Sequence, residues 1–332
     1  MMPLQSIGII GAGAFGTAMA TVARRAGRDV LVWAYEPDVA HDINTNHVNS
    51  TYLKGADLDP GIRASCDLAD VCGCDAILIA VPSQHLRRVI GEAAPFWRPG
   101  VPAMTCSKGV ERDSCKLMAE VVRDCLGPDA VIATMGGPTF AIELARDLPS
   151  AATIACPDLK IAEALAEALY SPHFRAYVTT DIVGAQLGGA VKNVLAIACG
   201  IVAGKGLGDN ARAALITRGL AEMNRLGLVL GAEPSTLMGM AGLGDVTLTC
   251  NAMQSRNFSL GYELGQGRAI DDIIAARKTV AEGYFNAESV TELARRNQVD
   301  MPICLAVEAV LTVNADLDAI IHGLLSRPLV NE

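Results

Sequence analysis

The chain has 332 residues, 51% hydrophobic and 19% charged, which excludes a disordered polypeptide and leaves room for two domains. Its formal net charge of −9, with no dense Lys/Arg run, argues against nucleic acid or an anionic membrane as the main partner, although a local pocket can still oppose the global charge and take an anionic small substrate. Ten scattered cysteines without paired C-x-x-C spacing, and five histidines without H-x-x-x-H, point to free core thiols, a reducing compartment and no metal site.

Met1–Ile10 lacks the basic region and cleavage site of a signal peptide, so a cytoplasmic location is expected. Ser6–Ile10 reads as a short buried strand, Thr17–Ala26 as a helix and Asp29–Tyr35 as a second apolar strand. Between the first two lies Gly11-Ala-Gly-Ala-Phe-Gly16, and in that β-α-β setting G-x-G-x-x-G marks a dinucleotide site. Gly11 allows the tight turn, Gly13 lets backbone approach a pyrophosphate, and Gly16 lets the helix pack on the strand, while the helix N-terminus offers free N–H groups to the anion. An acidic residue at the end of the second strand would favour NAD and an arginine NADP. Glu36 lies near that position or just past it, and no Lys or Arg falls between Asp29 and Lys54, so NAD or dual use is expected.

The alternation continues. Asp75–Val81 is a strand ending at Pro82-Ser83, followed by a helix over Gln84–Phe96. Ala103–Cys106 is a strand ending at Ser107-Lys108-Gly109, followed by a helix over Ser114–Leu126. Ala130–Met135 is a strand ending at Gly136-Gly137-Pro138-Thr139, and Phe140–Arg146 opens another helix; Ala151–Cys156 and Phe174–Thr179 close the series as strands. Repeated strand–helix units make a doubly wound, mostly parallel sheet, in which ligands bind beyond the carboxyl ends of the strands. Lys108, Gly137 and Thr139 fall there; Lys108 is read as a ligand contact rather than a solvated loop residue, and Thr139 also suits a helix N-cap.

After Thr180 only helices are expected, over 182–203, 211–230, 235–240, 270–276, 285–297, 303–313 and 316–325. The chain thus divides into a dinucleotide-binding domain over 1–180 and an all-α substrate domain over 181–332, with the active site between them. Between Asp181 and Lys205, around the stretch Gln186–Gly204, the apolar stripe Val183, Leu187, Val191, Val194 and Ala198 predicts a core-facing helix. Lys192 is the only permanently charged residue between Asp181 and Lys205, and its neighbours three and four positions away are Gly188, Gly189, Leu195 and Ala196. Such a lysine either snorkels to solvent, finds a distant anion, or loses its proton; full burial lowers a lysine pKa by up to ~3–5 units, which makes a usable general base. Lys192, Asn193 and four glycines in the run favour a buried helix over a membrane span. Gly242-Leu-Gly-Asp245-Val-Thr-Leu-Thr249 suggests a bent backbone presenting a carboxylate, and Ser255-Arg256-Asn257 joins a guanidinium to hydroxyl and amide donors as a phosphate would require. Taken singly, Asp245 reads as a turn or cap residue and Arg256 as a surface ion pair.

Taken together, the segments GAGAFGTA (11–18), SKG (107–109), GPTFA (137–141), GGAVKNVLAI (188–197), NARAALITRGLAEM (210–223), GLGDVTLTC (242–250) and SRN (255–257) resemble the bacterial NAD(P)-dependent glycerol-3-phosphate dehydrogenases over roughly 5–325. The resemblance implies a Rossmann domain followed by a helical domain of the 6-phosphogluconate-dehydrogenase kind. It also implies reversible oxidation of sn-glycerol 3-phosphate to dihydroxyacetone phosphate with NAD or NADP, reduction supplying phospholipid synthesis, and a homodimer. Carried over by motif, Lys192 accepts the C2 hydroxyl proton, with Lys108, Asn193, Asp245 and Thr249 around the reacting centre. Ser255, Arg256 and Asn257 hold the phosphate, and Gly137 and Thr139 touch substrate. Ala14, Phe15, Tyr35, Lys108, Ala141, Arg256, Val280 and Glu282 match cofactor positions; Tyr35 departs from the basic residue often found there, and Ala14 from Ser or Asn. Two other readings stand beside this one: a β-hydroxyacid dehydrogenase of the 6-phosphogluconate type, in which an asparagine follows the lysine by a full turn whereas Ala196 stands there here, and a nucleotide sensor without turnover.

Overall fold

The computed structural model describes residues 4–277, 281–313 and 315–326. Its first part runs β1 (Ser6–Ile10), α1 (Ala14–Arg25), β2 (Asp29–Trp33), α2 (Pro37–Asn46), β3 (Val48–Asn49), β4 (Leu53–Asp57), β5 (Ile62–Ser65), α3 (Leu68–Cys72) and β6 (Ala76–Ile79). It continues through α4 (Leu86–Ala93), β7 (Ala103–Thr105), α5 (Met118–Leu126), β8 (Ile132–Gly136), α6 (Ala141–Ala145), β9 (Ser150–Ala155), α7 (Leu159–Leu169) and β10 (Phe174–Thr179). Eight strands form one sheet in the order β10-β9-β8-β7-β6-β1-β2-β5, while β3 and β4 pair separately. Every neighbour in the large sheet is parallel except β8 and β9, so the mostly parallel, doubly wound arrangement holds. The strands β1, β6 and β7 are buried almost throughout and mostly apolar, as central strands of a sheet covered on both faces are. From β1 the chain winds outward through β2 to β5, then returns to β6 on the other side of β1. That reversal opens a crevice beyond the carboxyl ends of β1 and β6.

Several boundaries differ from the sequence reading. The helix expected over Ser114–Leu126 begins only at Met118. Asp113 and Cys115 take positive φ (58° and 57°), Val110 bridges Leu117, and the Glu120 carboxylate accepts from the Leu117 N–H (2.8 Å), so the preceding segment is a tight loop. β3–β5 and the helices α2, α3 and α7 are additions; β4, LKGAD, is largely exposed and lacks the alternation that announces a strand.

From Ile182 onward the described residues form only helices: α8 (Ile182–Gly204), α9 (Asp209–Leu230), α10 (Pro234–Leu237), a π-helical turn at Met240–Gly244, α11 (Asp245–Thr249), α12 (Arg256–Gly265), α13 (Ile270–Ala275), α14 (Glu282–Arg296), α15 (Pro302–Thr312) and α16 (Leu317–Leu325). The helix expected over 235–240 stops at Leu237, and α12 is one the sequence reading did not place. The Asp181 side chain starts α8 by accepting from the Gly184 N–H (2.8 Å). α8 is long and apolar enough to cross a membrane, but 89% of its most apolar window is buried inside the fold. It is the axis of the helical core, enclosed by α9, α11, α12, α14 and α15 and laid against β8. Val110, Cys115 and Leu117 from the first half are buried in that same core, and Gln186 accepts from the Ala119 N–H (2.7 Å). These contacts tie the two halves into a tight junction.

Candidate active site

At the β1 end of the crevice, the three fingerprint glycines do three different things. Gly11 has φ +116°, and a Cβ on it would lie 2.8 Å from the Ala80 carbonyl oxygen. A Cβ on Gly16 would lie 1.9 Å from the Gly11 oxygen, so α1 can seat against its own strand only without a side chain there. A Cβ on Gly13 would meet nothing within 4 Å: that position faces open space. The first i→i−4 bond of α1 is Thr17 N to Gly13 O (2.9 Å), so the N–H groups of Ala14, Phe15 and Gly16 are left outside the helix ladder. Asn49, which the sequence reading missed, pins this loop by donating to Ala12 O and Thr17 Oγ1, both at 2.8 Å.

At the end of β2, Ala34 is buried and Tyr35 stands 66% exposed just outside the strand. Glu36 occupies the residue before α2 and accepts from the Tyr52 hydroxyl (2.8 Å). The Arg88 guanidinium of α4 lies over the Tyr35 ring, 5.7 Å from its centroid.

Beyond β7 and β8, the sheet meets the helical half in a buried charge cluster. Lys192 is 8% exposed, so it does not snorkel; its Nζ donates to Asp245 Oδ1 (2.6 Å) and to Thr249 Oγ1 (2.9 Å). Lys108, half-buried on the loop after β7, reaches the other oxygen of the same carboxylate, Oδ2, at 2.6 Å, and also donates to Gly137 O (3.0 Å). One carboxylate thus holds two ammonium groups. Burial pushes the Lys192 amine down to about 8, against the pull of Asp245 and with the help of Lys108. Burial alone would raise Asp245, but Lys108 and Lys192 outweigh it and hold the carboxyl below its ordinary value. Asp245 reaches α8 because the π turn touches it: a Cβ on Gly188 would lie 2.0 Å from the Ala241 carbonyl oxygen. Gly137, at φ +142°, turns the chain after β8. Thr139 is not an N-cap, since α6 starts after Phe140; its hydroxyl donates to Gly137 O (3.2 Å), and Ala141 opens α6.

The Ser255 side chain caps α12 by accepting from Phe258 N–H (3.2 Å), and Arg256 lies exposed on its first turn. Asn257 donates to Asn193 Oδ1 (2.8 Å) and accepts from Gly283 N–H (2.9 Å), which leaves Asn193 Nδ2 buried and without a partner among the described residues. Glu282, at the start of α14, is raised by burial against the opposing effect of Arg256, Lys192, Lys108 and the Ser83 N–H. Asn286, one turn further, donates to the Lys108 carbonyl (3.1 Å) and so fixes the loop that carries Lys108. Nothing in its local sequence signals this, because its partner lies 178 residues away. Val280 lies outside the described residues. Hydrogen bonds thus join Lys108, Gly137, Lys192, Asp245 and Thr249 in one cluster and Asn193 to Asn257 in another, while Tyr35 stands at the end of β2.

Models of the NAD-dependent glycerol-3-phosphate dehydrogenase N-terminus and C-terminus match residues 6–162 and 181–322 of this chain. The chain belongs to that family. It is 51% identical over 332 residues to a glycerol-3-phosphate dehydrogenase [NAD(P)+] of Maricaulis maris, covering 100% of this chain and 99% of the relative. It is 52% identical to the Caulobacter vibrioides protein of the same name, with full coverage of both. Among solved structures, the Coxiella burnetii glycerol-3-phosphate dehydrogenase superposes with a TM-score of 0.93 at 39% identity, covering 98% of this chain and 99% of that one. The Saccharomyces cerevisiae enzyme follows the same fold with a TM-score of 0.83 at 26% identity, covering 96% and 99%.

Proposed function

We propose that this chain interconverts dihydroxyacetone phosphate and sn-glycerol 3-phosphate with NAD(P)H or NAD(P)+, the activity for which its relatives are named. The observation that carries the reading is the buried Lys192 amine, brought down to about 8 and held 2.6 Å from Asp245 at the junction of sheet and helices. The dinucleotide fits the residues present: the open cradle at Gly13 and the free first-turn N–H groups of α1 suit a pyrophosphate. Gly11, Gly13, Ala14, Phe15 and Gly16 would hold it, with Tyr35, Lys108, Ala141, Arg256 and Glu282 as further cofactor contacts. When bound, the nicotinamide accepts a hydride in oxidation and supplies one in reduction.

The protein's own groups do the rest. In oxidation, neutral Lys192 takes the proton of the C2 hydroxyl; in reduction, its ammonium form returns a proton to C2 oxygen. Lys108 and Lys192 together stabilise negative charge developing on that oxygen, in a site where burial strengthens the interaction. Asp245 and Thr249 aim the Lys192 amine. Asn193 Nδ2, buried and unpaired among the described residues, offers a donor to substrate, and Gly137 and Thr139 would also touch it. Arg256, the Ser255 hydroxyl, Asn257 and the N-terminus of α12 would bind the phosphate.

The same reading divides the chain at 180/181 into a cofactor domain and a substrate domain. It also places the protein in the cytoplasm as a homodimer feeding glycerophospholipid synthesis. The test is the absorbance of reduced nicotinamide after dihydroxyacetone phosphate is added. Loss of absorbance is expected. A protein that oxidises hydroxyacids and ignores this substrate is a hydroxyacid dehydrogenase, and one that binds cofactor but consumes none is a sensor; either result overturns the proposal.

A further inference from the structure

We propose that Arg88, presented by α4 on the face of Tyr35, receives the 2′-phosphate of the adenosine ribose and makes NADPH the preferred cofactor over NADH. The proposal rests on the dinucleotide reading above.

The end of the second strand decides this choice in a doubly wound sheet. A carboxylate there accepts the ribose 2′-hydroxyl of NAD and repels a phosphate, whereas a guanidinium accommodates it. Here β2 ends at Trp33, and the next two residues, Ala34 and Tyr35, carry no charge. The first carboxylate, Glu36, is one residue further and is engaged by the Tyr52 hydroxyl at 2.8 Å. The position therefore lacks the acceptor that NAD selection uses.

It does not lack a cation. The sequence between Asp29 and Lys54 contains no Lys or Arg, but α4 follows β6, the strand on the far side of β1, and returns Arg88 to the tip of β2. Its guanidinium sits 5.7 Å from the Tyr35 ring centroid. The ring is itself set edge-on against Trp33 (6.1 Å between centroids), whose indole N–H donates to Cys66 O at 3.0 Å. Tyr35 is thus a fixed platform for the guanidinium. Arg88 also pairs with Glu92 at 2.8 Å, but both side chains are about half exposed, and such an i,i+4 pair is readily exchanged for a doubly charged phosphate that accepts two parallel N–H bonds. The adjacent Arg87 provides the contrast. It is held by two hydrogen bonds to Glu111 and a third to Asp124, facing another part of the surface.

The experiment is titration calorimetry of the full chain with adenosine 2′,5′-bisphosphate and with 5′-AMP, for the wild type, Arg88→Gln and Arg87→Gln. The wild type is expected to bind the bisphosphate at least about tenfold more tightly than 5′-AMP, the scale of a single charged hydrogen-bonded pair. Arg88→Gln is expected to bring that ratio close to one while leaving 5′-AMP affinity within twofold, and Arg87→Gln to preserve it. The ratio of kcat/KM for NADPH to that for NADH should fall in parallel. The assignment is overturned if the wild type binds 5′-AMP as tightly as the bisphosphate. It is equally overturned if Arg88→Gln weakens both ligands alike or leaves the ratio intact. If neither fragment binds the wild type, the dinucleotide site itself is wrong; a site that binds both without dihydroxyacetone phosphate reduction sinks only the substrate.

Discussion

Asp245→Asn removes the charge shared by Lys192 and Lys108 while keeping the shape of the side chain. At 2.6 Å from Lys192, the Coulomb attraction at an effective dielectric of about 20 has an upper bound of roughly 6 kcal/mol, and opposite charges this close ordinarily move a pKa by about 1–3 units. Since Asp245 opposes the effect of burial on Lys192, its loss lets the amine fall further, from about 8 to below about 7. The sign is clear in the oxidation direction, where the neutral amine is the base. In the wild type roughly one amine in ten is neutral at pH 7, so kcat/KM for sn-glycerol 3-phosphate should rise about tenfold between pH 7 and pH 9. In Asp245→Asn the rising limb should shift to lower pH by at least one unit, whatever happens to the plateau. In the reduction direction the wild-type rate should fall over the same interval, because the ammonium form is then the acid. A full pH profile of kcat/KM for both proteins decides the matter. A midpoint that stays in place, or moves upward, refutes the role given to the Asp245 charge.

Lys192→Met should lower kcat by about 10²–10⁴, the usual contribution of a positioned acid–base group, while the dissociation constant for reduced cofactor, followed by its fluorescence, changes less than about threefold. Arg256→Ala should reduce kcat/KM for dihydroxyacetone phosphate by about 10–100-fold more than it reduces any turnover of unphosphorylated dihydroxyacetone, the loss of a charged hydrogen-bonded pair to the phosphate beyond whatever the lost cofactor contact costs both. An equal loss on both would remove Arg256 from the phosphate site. Glu222, buried in α9, accepts from the Ile303 and Cys304 N–H groups at the start of α15 (2.7 and 3.2 Å), and burial pushes it up to about 7. Its folded value lies above its unfolded one, so stability present below the ordinary carboxylate range is lost as pH rises towards 7, by at most about 3 kcal/mol. The melting temperature should therefore fall between pH 5 and pH 8 in the wild type and change less in Glu222→Gln.

The cofactor half was legible because its signals are local. β1, the glycine fingerprint and α1 occupy one continuous run, and each glycine meets the constraint its position implies: a turn at Gly11, open space at Gly13, close contact at Gly16. The long apolar run of α8 was equally plain, as was the oddity of a lysine within it. Elements were missed even where one face is buried, as in α7 and α12, and more readily where burial imposes no pattern. β4 is mostly exposed, and the segment before α5 looks helical by composition but is bent by Asp113 and Cys115.

What the sequence could not state is pairing across distance, and the chemistry depends on pairing. The partner of Lys192 lies 53 residues away, and that of Lys108 lies 137 residues away. Asp245 belongs to both only because a π-helical turn widens the backbone before α11 and a glycine on α8 lets that turn come within contact of the helix. Read alone, Asp245 is a turn residue; read with Gly188, it is the carboxylate that Lys192 and Lys108 share, and it opposes the effect of burial on Lys192. The opposite end of the crevice is also assembled from distant parts of the chain. No inspection of residues 29–54 reveals a cation, because the cation arrives from α4 through the winding of the sheet. In both places the strand order, not the local motif, decides which charges meet, and the site's acid–base behaviour and its choice of cofactor follow from that order.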